Sequence, residues 1–254
     1  MKSNHRIMLT IAVLASAALA CQALSGSGEP VNEDPSSLPT PRPSNTLPSN
    51  NDDPEPVPTE PEVTSGSGDV ILSDDFSSDQ WGTGTDSDSA VEYVGDALNF
   101  TVFTDNYFVW STPDDEVYSD INMEVTAINN GTDSTTAFGF ICNKSTGNDF
   151  YYFAITPAGQ YAIAKAVAGE TDVFLTNDDE WADSEYIPVN ADSYRISAEC
   201  GNGLLTLYVD DRLVDIVSDS TYTSGRVALF VWSGEEAGIT TDVSFDDFLM
   251  TELP

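Results

Sequence analysis

The 254-residue chain is short of positive charge and of histidine. It has 8 Lys and Arg against 43 Asp and Glu, a formal net charge of −35, and its single histidine is His5. A surface of this sign repels phosphate, so DNA and RNA are excluded as partners, and there is no polybasic patch for an anionic membrane. Without a histidine after residue 5, His-based triads and His-rich metal sites are excluded from the rest of the chain. Aromatic residues are missing from the first stretch: all 26 Phe, Trp and Tyr lie after residue 70. Cysteine is limited to Cys21, Cys142 and Cys200. The apolar run Ile7 to Ala20 is too short for a comfortable membrane span.

That run nevertheless has a pattern. Lys2 and Arg6 precede it, and residues 1–20 read as a signal peptide. The segment Ala18-Leu19-Ala20-Cys21 resembles the bacterial lipoprotein lipobox. It matches at Leu19, Ala20 and Cys21 and departs at Ala18, where that family prefers Leu. The resemblance implies that Cys21 becomes the lipidated first residue of the mature chain. It would be held at a bacterial cell surface through its acyl chains alone, with the domain extracellular or periplasmic. The plain alternative is cleavage after Ala20 that leaves Cys21 free. Residues 22–69 then hold ten of the fourteen prolines and nine acids, with Arg42 the only base. Such a stretch cannot bury enough apolar surface to offset its chain entropy, so residues 21–69 read as a lipidated Cys and a disordered tether.

Residues 70–254 read as one folded domain. They carry short runs rich in β-branched and aromatic residues, cut by Gly, Asn and Asp, and no long helical pattern. Ile121, Met123, Val125 and Ala127 alternate on one face, and strands follow at 136–142, 149–156 and 161–167. The clearest hairpin is Gly203 to Val217, with Leu205, Leu207 and Val209 on one face and Asp210 and Asp211 at the turn. About twelve antiparallel strands predict an all-β, two-sheet sandwich. With Cys21 lipidated, only Cys142 and Cys200 remain. Export permits oxidation, so they are expected to form a disulfide. Two buried thiols, or a nucleophilic cysteine without a histidine partner, are the other readings.

Several segments together resemble the concanavalin A-like lectin/glucanase superfamily, in its laminin-G-like and 3-keto-disaccharide-hydrolase-like branches. They are Leu72-Ser73-Asp74-Asp75-Phe76-Ser77 with Trp81, Phe138 to Cys142, Asn148 to Phe153, the hairpin Arg195 to Asp210, Gly225 to Phe230, and Phe245-Asp246-Asp247-Phe248. The resemblance implies an antiparallel jelly roll over about residues 70–252. Its members include lectins, glucanases and sugar-binding modules. The first and last of these segments are expected to pair, with Phe76, Phe245 and Phe248 as core anchors. The mixture of core-like and polar types at 245–248 predicts a bulge or a strand end.

Three chemistries follow as expectations. Asp74, Asp75, Asp246 and Asp247 would converge if the terminal strands pair, offering oxygen ligands for calcium, which related folds often carry there. Glycoside hydrolysis needs two carboxylates flanking a cleft. The Glu-x-Asp-x-x-Glu of the superfamily's glucanases is missing, which leaves Glu124 and Glu199 as isolated acids on strands. Sugar binding needs flat rings beside polar partners, and Trp110, Tyr151, Tyr161, Trp181 and Trp232 are the candidates. On an acidic surface the natural partner is a neutral glycan or a cell-surface protein. The expected protein is a non-catalytic, surface-tethered carbohydrate-binding or adhesion module. A glycoside-hydrolase-like enzyme and a protein-binding structural module are the alternatives.

Overall fold

A computed structural model describes residues 68–234 and 238–254. The signal peptide, Cys21 and the tether lie outside the described residues.

Sixteen strands follow one another among the described residues. The first six are β1 (Val70–Asp74), β2 (Gly84–Thr85), β3 (Ser89–Tyr93), β4 (Leu98–Val102), β5 (Phe108–Ser111) and β6 (Ile121–Asn129). Then come β7 (Ala137–Lys144), β8 (Phe150–Ile155), β9 (Gln160–Ala166), β10 (Val173–Phe174) and β11 (Ala182–Asp183). The last are β12 (Ser193–Gly201), β13 (Leu204–Val209), β14 (Arg212–Ser218), β15 (Arg226–Trp232) and β16 (Thr241–Glu252). The excess over the expected twelve includes two-residue edge strands, β2, β10 and β11, which are too short to show a period.

All pairings are antiparallel. A nine-stranded sheet runs β14-β13-β12-β6-β16-β4-β3-β2, with β1 also on β16. A seven-stranded sheet runs β10-β9-β8-β7-β15-β5, with β11 on β9. The two pack face to face. From the first sheet, alternate residues such as Leu98, Phe100, Val102, Ile121, Met123 and Val125 point inward and are almost wholly buried. Phe138, Phe140, Tyr151, Phe153, Leu229 and Val231 meet them from the second. The hairpin forms as expected: Asp210 and Asp211 both take positive φ, the backbone that a two-residue turn between twisted strands demands.

One bond between the sheets and two features of the nine-stranded sheet frame the core. Cys142 on β7 and Cys200 on β12 form the expected disulfide, so a covalent bond joins one sheet to the other. β1 pairs with the final strand, with Asp74 opposite Phe248, so the domain's first and last strands lie side by side. Within β16 the register slips between Asp246 and Leu249, and Asp247 takes φ 51°. That bulge lets Phe245 and Phe248, three positions apart, both point into the core.

Candidate functional site

The site begins with a property of β8. All six of its residues are buried, on both faces. Tyr151, Phe153 and Ile155 enter the core between the sheets. Phe150, Tyr152 and Ala154 face the other way and join a second apolar layer with Ala137, Ile141 and Phe230. A sheet face that looks away from the core is normally polar in an antiparallel sandwich. Here it is apolar and forms the floor of a groove.

The groove has a cavity of about 510 Å³, within the range of small-molecule sites. Its floor combines rings with small residues. Ala162, Ala164 and Ala166 occupy alternate positions of β9, with Ala154 beside them on β8, and of these Ala154 and Ala166 line the cavity together with Ala137 of β7. Small side chains there leave a trough. The walls are aromatic: Phe174 and Trp181 on the β9–β10 side, and Phe108, Trp110 and Trp232 on the β15–β5 side. Five strand intervals separate β10 from β5, so the groove crosses roughly 24 Å of sheet.

Phe108 is the hub of the ring array. Its ring stacks on Phe230 at 4.7 Å between centroids and lies 6.1 Å from each of Trp110, Phe150 and Tyr152. Phe174 and Trp181 pair at 5.8 Å. Trp232 is oriented by its indole N–H, which donates to Asn106 Oδ1 at 2.9 Å. Trp110 remains substantially exposed.

Charge is confined to the ends and the rim. The register of β7 slips near Asn143, where φ is 51°, and the slip turns Lys144 to the groove side. Its Nζ lies 5.2 Å from the Trp110 ring centroid and 5.9 Å from that of Phe150, and donates to Gly147 O. Desolvation, with Arg226 adding repulsion, holds the ammonium below the usual lysine range. Glu170 and Asp172 are the carboxylates of the lining, and both sit on the loop after β9. The Asp172 side chain leans into the groove mouth toward Tyr152. Burial pushes the Tyr152 hydroxyl up, and the facing carboxylate adds to this. Asp172 is itself pushed up by desolvation, with the Tyr152 hydroxyl acting against it.

Three of the five ring residues expected for sugar binding, Trp110, Trp181 and Trp232, come together in this groove. The other two are placed elsewhere. Tyr151 lies in the inter-sheet core, where its hydroxyl donates to Asp219 Oδ1 and accepts the Tyr222 N–H. Tyr161 also points inward and donates to Asp215 Oδ2 at 3.1 Å. Alternation separates the two faces of a strand, but it does not say which is the core when both are apolar. Phe108, Phe150, Tyr152, Phe174 and Phe230 were not singled out from sequence. The usable signal was the repeat of rings two apart in three strands (Phe108 and Trp110, Phe150 and Tyr152, Phe230 and Trp232) beside the alternating alanines of β9.

Three of the four terminal acids have local side-chain partners, and Asp247 is engaged through its backbone, whose carbonyl accepts from Arg195. Asp74 is buried, with Oδ1 accepting the Phe76 N–H at 2.8 Å and Oδ2 the Trp81 indole N–H at 3.1 Å. Asp75 accepts from Ser77 N–H and Oγ, and Asp246 from the Asp247 N–H. Among the described residues, no three His, Cys, Asp or Glu side chains stand together as a metal-binding group. Glu124 and Glu199 sit on the outer face of the nine-stranded sheet, away from the groove, and Glu124 pairs with Arg195 at 3.0 Å.

No protein-family model matches the chain, and no curated protein matches it in sequence. Solved structures do match. The carbohydrate-binding module CBM66 from Bacillus subtilis aligns with a TM-score of 0.52 and 18% identity, over 68% of this chain and 96% of that one. A β-glucanase of Bacillus licheniformis aligns at 0.53 and 10% identity, over 74% and 100%. The catalytic domain of an endo-1,3-β-glucanase (laminarinase) from Thermotoga petrophila aligns at 0.51 and 12%, over 74% and 98%. The fold is the concanavalin A-like jelly roll. At these identities the likeness extends to architecture and no further.

Proposed function

We propose that this domain binds a neutral glycan in the aromatic groove of the seven-stranded sheet and performs no chemistry on it. The observation that carries this reading is the make-up of the groove. Its strand positions offer rings and alanines, while its carboxylates, Glu170 and Asp172, sit together on one rim loop. Flat rings suit the apolar faces of sugar residues. A hydrolase would need a carboxylate on each side of the bond to be cut. With 34 acids against 5 bases over residues 70–254, an uncharged glycan meets the least repulsion. The matching structures, a carbohydrate-binding module and two glucanases among them, agree with a saccharide ligand. In this reading a lipidated Cys21 and the proline-rich stretch after it display the groove at a bacterial cell surface.

The test is a glycan array probed with residues 22–254, once with calcium and once with a chelator. Saturable binding to an uncharged glycan is expected, with no release of smaller sugars. Trp232→Ala is expected to weaken it at least about tenfold, the loss of one stacked ring. Binding that vanishes on chelation would locate a cation requirement, for which Asp75 and Asp247 are the first residues to substitute. Release of products would favour the hydrolase, and silence across the array the protein-binding module.

A further inference from the structure

A second cavity of about 510 Å³ adjoins the groove, and the two share Phe108 and Trp110 as a common wall. It lies on the flank of the sandwich, between the edge strand β5 of one sheet and the edge strand β2 of the other. Among the described residues, β5 pairs only with β15 and β2 only with β3. β5 therefore turns a row of backbone N–H and C=O groups outward along its free edge, and the two-residue β2 adds those of one residue. The seam is closed at one end, where the Gly82 N–H donates to Thr112 O and Ser111 Oγ donates to Gly82 O. Beyond that the lining sets the small and hydroxyl-bearing Thr83, Gly84, Thr85 and Ser89 against the apolar Val91 and Val109. Its one carboxylate, Asp86, accepts the N–H groups of Asp88 and Ser89 on Oδ1, which leaves Oδ2 without a protein donor among the described residues.

The two halves are chemically complementary. The groove supplies flat apolar rings and few hydrogen-bonding groups. The flank supplies backbone edges and hydroxyls, with Asp86 as its single charge. A molecule that crosses the exposed Trp110 would meet first one and then the other. Linear saccharides match this sequence, since each residue offers both an apolar face and a rim of hydroxyls.

We propose that the flank cavity is a second subsite, and that the ligand is a linear, uncharged polysaccharide gripped along an inner stretch of chain. Its leading residues lie on the aromatic floor, and the following ones pass over Trp110 and bond to the edges of β5 and β2. This rests on the glycan-binding reading of the groove and adds the chain form of the ligand to it.

The experiment is a calorimetric titration of residues 22–254 with a length series, disaccharide to octasaccharide, of the glycan the array identifies. Affinity is expected to climb with length by at least about tenfold before it levels off. Gly84→Phe fills the flank. A Cβ at Gly84 meets no atom within 4 Å, and its backbone is not left-handed, so the variant is expected to keep the wild-type melting temperature. Thr83→Phe serves as the second blocking variant. Both are expected to leave disaccharide affinity within about twofold and to abolish the gain with length, whereas Trp232→Ala weakens every member. Affinity independent of length, or a length gain that survives both blocks, overturns the flank subsite while leaving the groove reading intact. Failure of the wild type to bind any member overturns both. Capture of an extended peptide that the same blocks prevent would overturn the proposal in favour of strand addition at β5.

Discussion

Tyr151 shows how a side chain that looks like a ligand contact serves the frame. Its hydroxyl donates to Asp219, whose other oxygen pairs with Lys165 Nζ at 2.8 Å, and it accepts the Tyr222 N–H. Burial, then the Asp219 carboxylate, pushes the Tyr151 hydroxyl up to about 12, and burial with Asp215 does the same to Tyr161. A hydroxyl whose folded value exceeds its unfolded one, about 10, contributes stability that is whole below pH 10. That contribution is lost as the pH rises from there toward 12. Asp219 is shifted the opposite way: hydrogen bonds from Lys165, Thr221 and Tyr151 outweigh its desolvation and hold it low. Its contribution is whole above the usual carboxylate range and is lost in acid. Melting temperatures of the wild type and Tyr151→Phe, measured from pH 8 to 12, should therefore converge toward the alkaline end. The gap between them is expected to be widest below about pH 10.

At the scale of elements, the disulfide is the link most open to a quantitative test. It closes a separation of 58 residues between β7 and β12, a loop whose closure corresponds to about 4 kcal/mol. The double variant Cys142→Ala with Cys200→Ala is expected to lose about 2–5 kcal/mol in urea unfolding while keeping its groove, since neither sulfur reaches the outer face. Elements were also where the sequence was most legible. The β13–β14 hairpin was plain because Leu205, Leu207 and Val209 alternate with more polar neighbours around a turn-forming pair. The β16 bulge was visible because Phe245 and Phe248 cannot share one face of a regular strand. β5 was opaque: Tyr107, Phe108, Val109 and Trp110 are apolar on both faces, so no period tells the core from the groove. The alanines of β9 were opaque for a related reason. A small residue marks space, and what borders that space is set by strands distant in sequence.

The molecule as a whole is governed by its charge. With 34 acids and 5 bases over residues 70–254, its carboxylates repel one another in the compact state. The repulsion is long-ranged in dilute salt, where the Debye length is about 30 Å at 0.01 M, and nearly gone at 1 M, where it is about 3 Å. Scanning calorimetry in a sodium chloride series is expected to show a melting temperature that rises with salt. A falling one would mean that ion pairs such as Lys165–Asp219 and Arg195–Glu124 outweigh the general repulsion.

The arrangement of the two sheets also has a mechanical consequence. The chain enters the domain at β1, in the nine-stranded sheet, whereas the groove is cut into the outer face of the other. Any pull between the entering chain and an occupied groove must cross from one layer to the other. Apolar packing resists such a load only while the layers stay in contact. The Cys142–Cys200 bond spans the same gap covalently, so the domain carries its own rivet between the layer that the chain enters and the layer that holds the groove.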